Sequence, residues 1–252
     1  MTRAMSQHLR ASCRETPFCP GCGHGVLMNV ILRAVDRLEL SPKETLFVSG
    51  IGCAAWIPSP HFDFDTLHTL HGRAVAFATG AKLVNPSLTT IVVSGDGDLL
   101  SIGGNHLIHA ARRNIDLTVI LANNFIFGMT GGQSAPTTPR GARTVTAPGG
   151  VTERPIDACR LVLAAGAGYT ARYPVTHPVA LSTVIERAIR HRGFSLVEAV
   201  SPCPTQYGRH NGLADIPALY QEVERRCVTL AEYEEIPPAE KPYYLVVGEQ
   251  FA

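Results

Sequence analysis

The chain has no run of about 18 consecutive apolar residues, so no hydrophobic membrane-spanning helix is expected. It has no block of lysine and arginine, and its formal net charge is only +1. A protein that holds nucleic acid by neutralising phosphates needs a concentrated positive face, so that class is excluded. The first 15 residues carry Arg3, Arg10, Arg14 and Glu15 without a continuous apolar core, so no signal peptide is expected and the address reads as cytoplasmic. There is no internal repeat. What is present is enough apolar material for a core: 252 residues, 45% hydrophobic and 17% charged, suit one large folded α/β domain. The seven cysteines sit in a compartment where disulfides are rare, which leaves metal binding, catalysis or packing as their uses.

The pattern along the chain alternates strands with helices. Residues 1–16 read as a loosely ordered arm. Leu27, Met28, Ile31, Ala34, Val35 and Leu38 fall at helical spacing, which predicts a helix over 26–38. Thr45 to Ser49 reads as a buried strand running into the loop Gly50-Ile51-Gly52, and a helix is expected over 73–84, ended by Asn85-Pro86. Thr89 to Ser94 is the clearest buried strand, followed by Gly95-Asp96-Gly97-Asp98. Helices are expected over 105–113, 158–167 and 179–192, and strands over 117–122 and 194–200. A polar stretch rich in Gly, Pro and Thr covers roughly 128–150. Such alternation predicts a doubly wound, mostly parallel sheet with helices on both faces. The domain is expected to span 17–235. Beyond it, the Pro-rich segment 236–242 leads to a tail whose apolar run, Tyr243 to Val247, suits docking on a partner chain.

The segment Gly95-Asp96-Gly97-Asp98 lies between a strand and a helix, where free backbone N–H groups and the helix start favour a phosphate. Asp96 offers a hard oxygen suited to Mg²⁺, which commonly bridges a carboxylate and substrate phosphates. Asn123 and Asn124 follow the next strand, and in a doubly wound sheet both loops end at the same carboxyl edge. A lone Gly-Asp-Gly is an ordinary turn, but strand–GDG–helix–strand–NN at this spacing resembles the thiamine-diphosphate motif. That resemblance implies that Asp96, the Asn124 side chain and the Ile126 carbonyl hold Mg²⁺ against the diphosphate. It also implies that Gly97, Asp98, Gly128 and Met129 line the pocket.

Cys19-Pro20-Gly21-Cys22 places two thiols on a tight turn, open to three uses: a redox pair, zinc, or half of an iron–sulfur site. No convincing strand precedes it, unlike a thioredoxin-type pair. Cys53 follows Gly50-Ile51-Gly52, and Cys203 sits in Ser201-Pro202-Cys203-Pro204 after the last strand, so these loops can converge. Spacing alone leaves zinc and iron–sulfur level. Cys13, Cys159 and Cys227 lack such a setting and read as packing or surface thiols. His106 and His109 have no third ligand in reach, His24 follows Cys22 too closely to be a fourth ligand, and Ser49 and Ser134 lack a base.

Taken in order, Cys-Pro-Gly-Cys-Gly-His at 19–24, Ser-Gly-Ile-Gly-Cys at 49–53, His-Gly-Arg at 71–73, the Gly-Asp-Gly-Asp and Asn-Asn pair, and Gly-Met-Thr-Gly-Gly-Gln at 128–133 resemble the β subunits of 2-oxoacid:ferredoxin oxidoreductases, over roughly residues 17–212. The resemblance implies the thiamine-diphosphate-binding fold and a 4Fe–4S cluster on Cys19, Cys22, Cys53 and Cys203. It implies that Ile51, Gly52, Cys53 and Ala54, with the loop His71-Gly72-Arg73, lie against thiamine diphosphate. The run from Ser201 to Arg209 looks most like members acting on 2-oxoglutarate; pyruvate or another 2-oxoacid is the alternative within the family. The implied reaction is coenzyme A-dependent oxidative decarboxylation, or its reverse, with the cofactor as electron sink and electrons passing through the cluster to ferredoxin. One departure stands out: Trp56 occupies a position where many relatives carry Lys or Arg, and Trp cannot pair with a substrate carboxylate. That carboxylate then falls to Arg73 or to a partner's arginine, or the substrate is less polar. No pyrimidine-binding domain is found, so the activating Glu is expected on an α subunit and the chain alone is expected to be inactive. A non-oxidative thiamine enzyme has no need of four cysteines, and a non-catalytic zinc or iron–sulfur module leaves Asp96 and Asn124 without a task.

Overall fold

The computed structural model describes residues 7–13 and 15–251; residues 1–6 and Arg14, part of the expected arm, lie outside them. From the first cysteine pair the chain forms α1 (Gly23–Arg37), β1 (Thr45–Ser49), β2 (Asp65–His68), α2 (Ala74–Val84), β3 (Thr89–Gly95), α3 (Gly104–Arg112) and β4 (Thr118–Asn123). A small hairpin of β5 (Ile126–Phe127) and β6 (Gln133–Ser134) precedes α4 (Ala158–Ala165), β7 (Tyr169–Pro174), α5 (Pro178–Arg190) and β8 (Ser195–Val200). The last elements are α6 (Ile216–Arg226), β9 (Cys227–Val228), α7 (Leu230–Glu235), β10 (Leu245–Val246) and β11 (Gly248–Phe251).

Seven strands form one sheet in the order β11-β7-β8-β4-β3-β1-β2, parallel throughout except for β11. The expected doubly wound architecture is what forms, and the reason is visible in the strands. Ile91, Val93, Ile120, Ala122 and Val197 point to the layer of α1 and α5, while Val92, Val119, Leu121 and Leu196 point to the layer of α2, α3 and α4. A strand buried on both faces has no polar side to show, hence its continuous apolar run. The chain moves outward from β1 to β2, then returns to the other side of β1 for β3, making a topological switch point between β1 and β3 where such sheets place their ligands.

Helix ends follow local chemistry. Helix α1 begins at Gly23, three residues before the expected start at 26, with Gly23 N–H satisfied by Pro202 O at 3.0 Å. Helix α4 stops at Ala165 because Gly166 adopts φ 108°, a left-handed stop. Asp157 and Asp215 cap α4 and α6 by accepting from Arg160 N and Ala218 N.

Two expectations are corrected. The arm is anchored rather than loose where it is described: Leu9 bridges Phe62, Arg10 N–H donates to His61 O at 2.9 Å, and its guanidinium donates to Phe64 O at 3.0 Å. The C-terminal apolar run, expected to dock on a partner, folds onto its own chain: Leu245-Val246 pairs with β9, and β11 closes the sheet edge against β7. Strand β7 escaped notice because its middle residue is Arg172, buried at 2% exposure. Arg172 Nε donates to Glu198 Oε2 at 2.9 Å and Nη2 to Asp157 Oδ1 at 2.6 Å. Removing one member of a buried pair leaves the other charge uncompensated, so Arg172→Ala is expected to destabilise the fold by about 3–5 kcal/mol, read from urea unfolding; a shift under 1 kcal/mol would show that the pair carries no such weight.

Candidate cofactor and cluster site

Five loops meet at the carboxyl edge of the sheet: 50–53 after β1, 69–73 after β2, 96–98 after β3, 124–125 after β4 and 201–203 after β8. Asp98 ties three of them. Its Oδ1 accepts from Gly72 N at 2.7 Å and Ile51 N at 3.2 Å, and its Oδ2 accepts from Ser94 Oγ at 2.6 Å. His71 Nδ1 lies 3.4 Å from Asp98 Oδ1, an electrostatic contact without hydrogen-bond geometry. Gly50 is required beside it, since a Cβ there would stand 1.9 Å from Asp98 Oδ2. Asp98 reaches the pocket wall as expected, but its carboxylate is consumed in joining loops.

Asp96 is different. It is 2% exposed and accepts hydrogen bonds from Thr137 Oγ1 at 2.5 Å and from Gly97 N at 2.9 Å, with no cation paired to it among the described residues. Burial raises its pKa from 3.8 to about 7, with those hydrogen bonds pulling the other way. A buried carboxyl group without a counter-charge is chemically suited to a cation. Across from it, Asn124 Oδ1 accepts from Ile126 N at 3.1 Å, and Phe125 between them holds φ 65°.

The four cysteines named above gather behind this pocket. Burial, aided by repulsion from the neighbouring cysteines, lifts the Cys22 thiol to about 12 and the Cys53 thiol to about 11. Gly23 N–H donates to Pro202 O at 3.0 Å, which fastens the 19–22 turn to the loop that carries Cys203. A Cβ on Gly128 would lie 3.7 Å from Cys53 Sγ, Cys203 Sγ and Asn124 Nδ2 alike, so this glycine touches both halves of the site. The only described group with three ligand atoms within 4.8 Å of one another is Asp157, Cys159 and Glu198, and Arg172 already pairs with both of its carboxylates.

The pocket is lined by Ile51, Gly52, Cys53, Ala54, His71, Asp96, Gly97, Asp98, Asn124, Ile126, Gly128 and Met129, all singled out from the sequence. Gly72 and Arg73 are not in its wall: Gly72 packs on Ile102, and Arg73 Nη1 lies 2.7 Å from His106 Nε2 on α3. His24, Phe127 and Thr130 line it without having been expected. His24 is fully buried, bonded through Nδ1 to Ser201 Oγ at 2.7 Å, and burial lowers its pKa to about 4, which keeps it neutral. Thr137, the partner of Asp96, lies 41 residues away in sequence and gave no local signal.

A carboxyl-edge pocket with a buried acid and a facing Asn turn, on this sheet, defines a thiamine-type cofactor domain. The family described as thiamine pyrophosphate enzyme, C-terminal TPP binding domain, matches residues 50–199. The chain is 46% identical to the 2-oxoglutarate synthase subunit KorB of Methanocaldococcus jannaschii, over 92% of this chain and 86% of that one. It is 50% identical to the KorB subunit of Archaeoglobus fulgidus, over 81% and 76%. The solved 2-oxoglutarate:ferredoxin oxidoreductase from Magnetococcus marinus, with 2-oxoglutarate, coenzyme A and succinyl-CoA bound, superposes with a TM-score of 0.86 at 30% identity, over 98% of this chain and 84% of that one. The chain belongs to the β subunits of the 2-oxoacid:ferredoxin oxidoreductases. No described helix is long and apolar enough to cross a membrane.

The Asp98 tie can be tested by Gly50→Ala. Overpacking against Asp98 Oδ2 is expected to cost ~1–3 kcal/mol and to speed amide exchange at Ile51 and Gly72 together; unchanged protection at both would contradict the tie.

Proposed function

We propose that this chain binds thiamine diphosphate, Mg²⁺ and a 4Fe–4S cluster, and with an α subunit oxidatively decarboxylates 2-oxoglutarate, passing electrons to ferredoxin and the acyl group to coenzyme A, or runs the reverse. The observation that carries this reading is Gly128, whose Cβ position lies 3.7 Å from two of the thiols and from Asn124 at once. Cofactor and cluster would then be neighbours, as one-electron transfer between them requires.

In this reading Asp96, Asn124 Oδ1 and the Ile126 carbonyl hold Mg²⁺, the choice suited to hard oxygen donors. Asp96 supplies the charge that the metal neutralises, and Thr137 and Gly97 N–H fix its orientation. Gly97 and Gly128 line the space for the diphosphate, and Gly97 is fixed as glycine by the Phe127 ring, which a Cβ there would strike at 2.4 Å. Bound thiamine diphosphate supplies the electron sink for loss of CO₂. Neutral His24 and stacked His71 and Phe127, whose ring centres lie 6.1 Å apart, line the same pocket. Four thiolates suit zinc or an iron–sulfur cluster alike, and the ferredoxin in the relatives' names supports the iron–sulfur choice.

None of the described residues lining the pocket is Lys or Arg, Arg73 is engaged with His106, and Trp56 faces His68 at 6.5 Å. The distal carboxylate of 2-oxoglutarate is therefore assigned to a cation of the partner subunit, which also supplies the Glu that activates the pyrimidine ring. The names of the relatives, 2-oxoglutarate synthase subunits, support the substrate.

Anaerobic purification followed by analysis of iron, acid-labile sulfide, zinc and thiamine diphosphate is expected to give iron and sulfide near four each (~4 of each per cluster) with bound cofactor. The chain alone is expected to show no turnover, and the complex with its α subunit to be active. Zinc without sulfide, or activity of the chain alone, would overturn the reading. Metal binding must also expel the proton that burial keeps on Asp96, whose pKa stands at about 7. Mg²⁺ affinity is thus expected to be flat at high pH and to fall roughly tenfold per unit below that value. Titration calorimetry across pH checks it, and a pH-independent affinity would remove Asp96 from the metal site.

A further inference from the structure

The turn after β4 holds Phe125 at φ 65°, a region that a bulky side chain occupies only when its surroundings impose it. Those surroundings form a chain of contacts. Phe125 N–H donates to Asn123 Oδ1 at 3.1 Å, and Thr138 Oγ1 donates to Phe125 O at 2.6 Å. The Asn123 amide is aimed by Glu198, whose Oε1 accepts from Asn123 Nδ2 at 2.7 Å, and Glu198 Oε2 accepts from Arg172 Nε at 2.9 Å. On the other side, the Arg226 guanidinium stands 4.8 Å from the centre of the Phe125 ring, and its Nη1 donates to Tyr207 Oη at 3.2 Å.

Both arginines are nearly fully buried, and both donate to main-chain carbonyls of one C-terminal segment. Arg172 Nη1 donates to Val246 O and Arg226 Nε to Tyr243 O, each at 3.1 Å. That segment is in turn fixed by β10 on β9 and β11 on β7. We propose that residues 243–251 are a clasp that, through Arg172 and Arg226 as positioning residues, holds the Asn123–Phe125 turn in the conformation that presents Asn124 to the metal–diphosphate. The inference rests on the proposed role of Asn124.

The physical route is short. Removing the two carbonyls leaves two buried guanidinium groups each with an unpaired donor, so both shift or admit water. Glu198 then loses its fixed partner, the Asn123 amide is free to turn, and Phe125 relaxes toward ordinary backbone. Asn124 Oδ1 and the Ile126 carbonyl move with it. The Cys203 loop meets this relay through main-chain bonds, Ser201 N–H donating to Asn123 O at 2.8 Å as the last rung of the β4–β8 ladder and Gly208 N–H donating to Cys203 O at 2.9 Å beside Tyr207. These bonds do not depend on the Phe125 turn, so the cluster is expected to survive.

The test uses the complex assembled with its partner subunits, comparing wild type with a chain ended after Pro242 and with Arg172→Lys. Thiamine diphosphate affinity at fixed Mg²⁺, iron and sulfide content, and amide exchange over 124–128 are measured. Outer partners of a metal site typically cost ~10–100-fold in affinity when lost, so the truncated chain is expected to bind the cofactor in that range more weakly. Its iron content should be unchanged and exchange at 124–128 faster, and Arg172→Lys should move affinity and exchange the same way by less. Wild-type affinity and exchange in both variants would overturn the clasp; if the truncated chain fails to assemble, Arg172→Lys decides it. Should wild type bind no thiamine diphosphate, the role of Asn124 falls, while exchange at 124–128 still decides the clasp because it needs no cofactor.

Discussion

The carboxylate of Asp98 sets where the rest of the site can be. It sits in the loop just beyond β3 and takes hydrogen bonds from the loop after β1, the loop after β2 and Ser94 of β3. A parallel sheet brings its strand ends to one edge, but nothing in the sheet fixes how the loops beyond that edge lie. One acceptor with two oxygens does so here, and the requirement reaches back to Gly50, where any side chain would collide with it. With those loops fixed, Cys53 and the wall of the pocket have defined places.

Three buried acids near this edge have different balances. Asp98 is satisfied by neutral donors, and Glu198 is paired with a buried arginine and an asparagine amide. Asp96 has two hydrogen bonds and no counter-charge, which is why burial moves its pKa to about 7. Asp96, the unbalanced member of the set, faces the pocket beside Asp98, whose carboxylate joins the loops, and Glu198 lies outside the pocket wall. The same logic separates the cysteines: Cys159 is enclosed beside Arg172 and Glu198, whereas Cys22 and Cys53, raised by burial and by the cysteines beside them, have no cation paired to them among the described residues.

Much of this was legible in the sequence because it is written in short contiguous segments. The two-sided apolar runs of β3 and β4 announce central strands, and Gly-Asp-Gly and Asn-Asn stand directly at their ends. The hidden parts depend on distant residues. Strand β7 carries a buried Arg172 that breaks the apolar pattern, and its partners Glu198, Asp157 and Val246 lie on separate elements. Strand β2 is a largely exposed edge strand with a polar sequence. Thr137 and the neutral, buried state of His24 follow only from tertiary packing. Arg73 belongs to the readable His-Gly-Arg motif, yet its side chain turns to His106, a choice no local pattern encodes. The left-handed Phe125 had a faint local sign, since an asparagine two positions earlier can cap such a turn through its side chain.

The central claim is that an organic cofactor and a metal cluster share this edge closely enough to exchange single electrons. The direct measurement is electron paramagnetic resonance of the oxidised, anaerobic complex after addition of 2-oxoglutarate, with ferredoxin withheld. The account predicts a reduced-cluster signal that requires the 2-oxoacid and vanishes when Asp96→Ala removes cofactor binding while iron content stays intact. Release of CO₂ with no cluster signal, or a signal indifferent to Asp96→Ala, would contradict it.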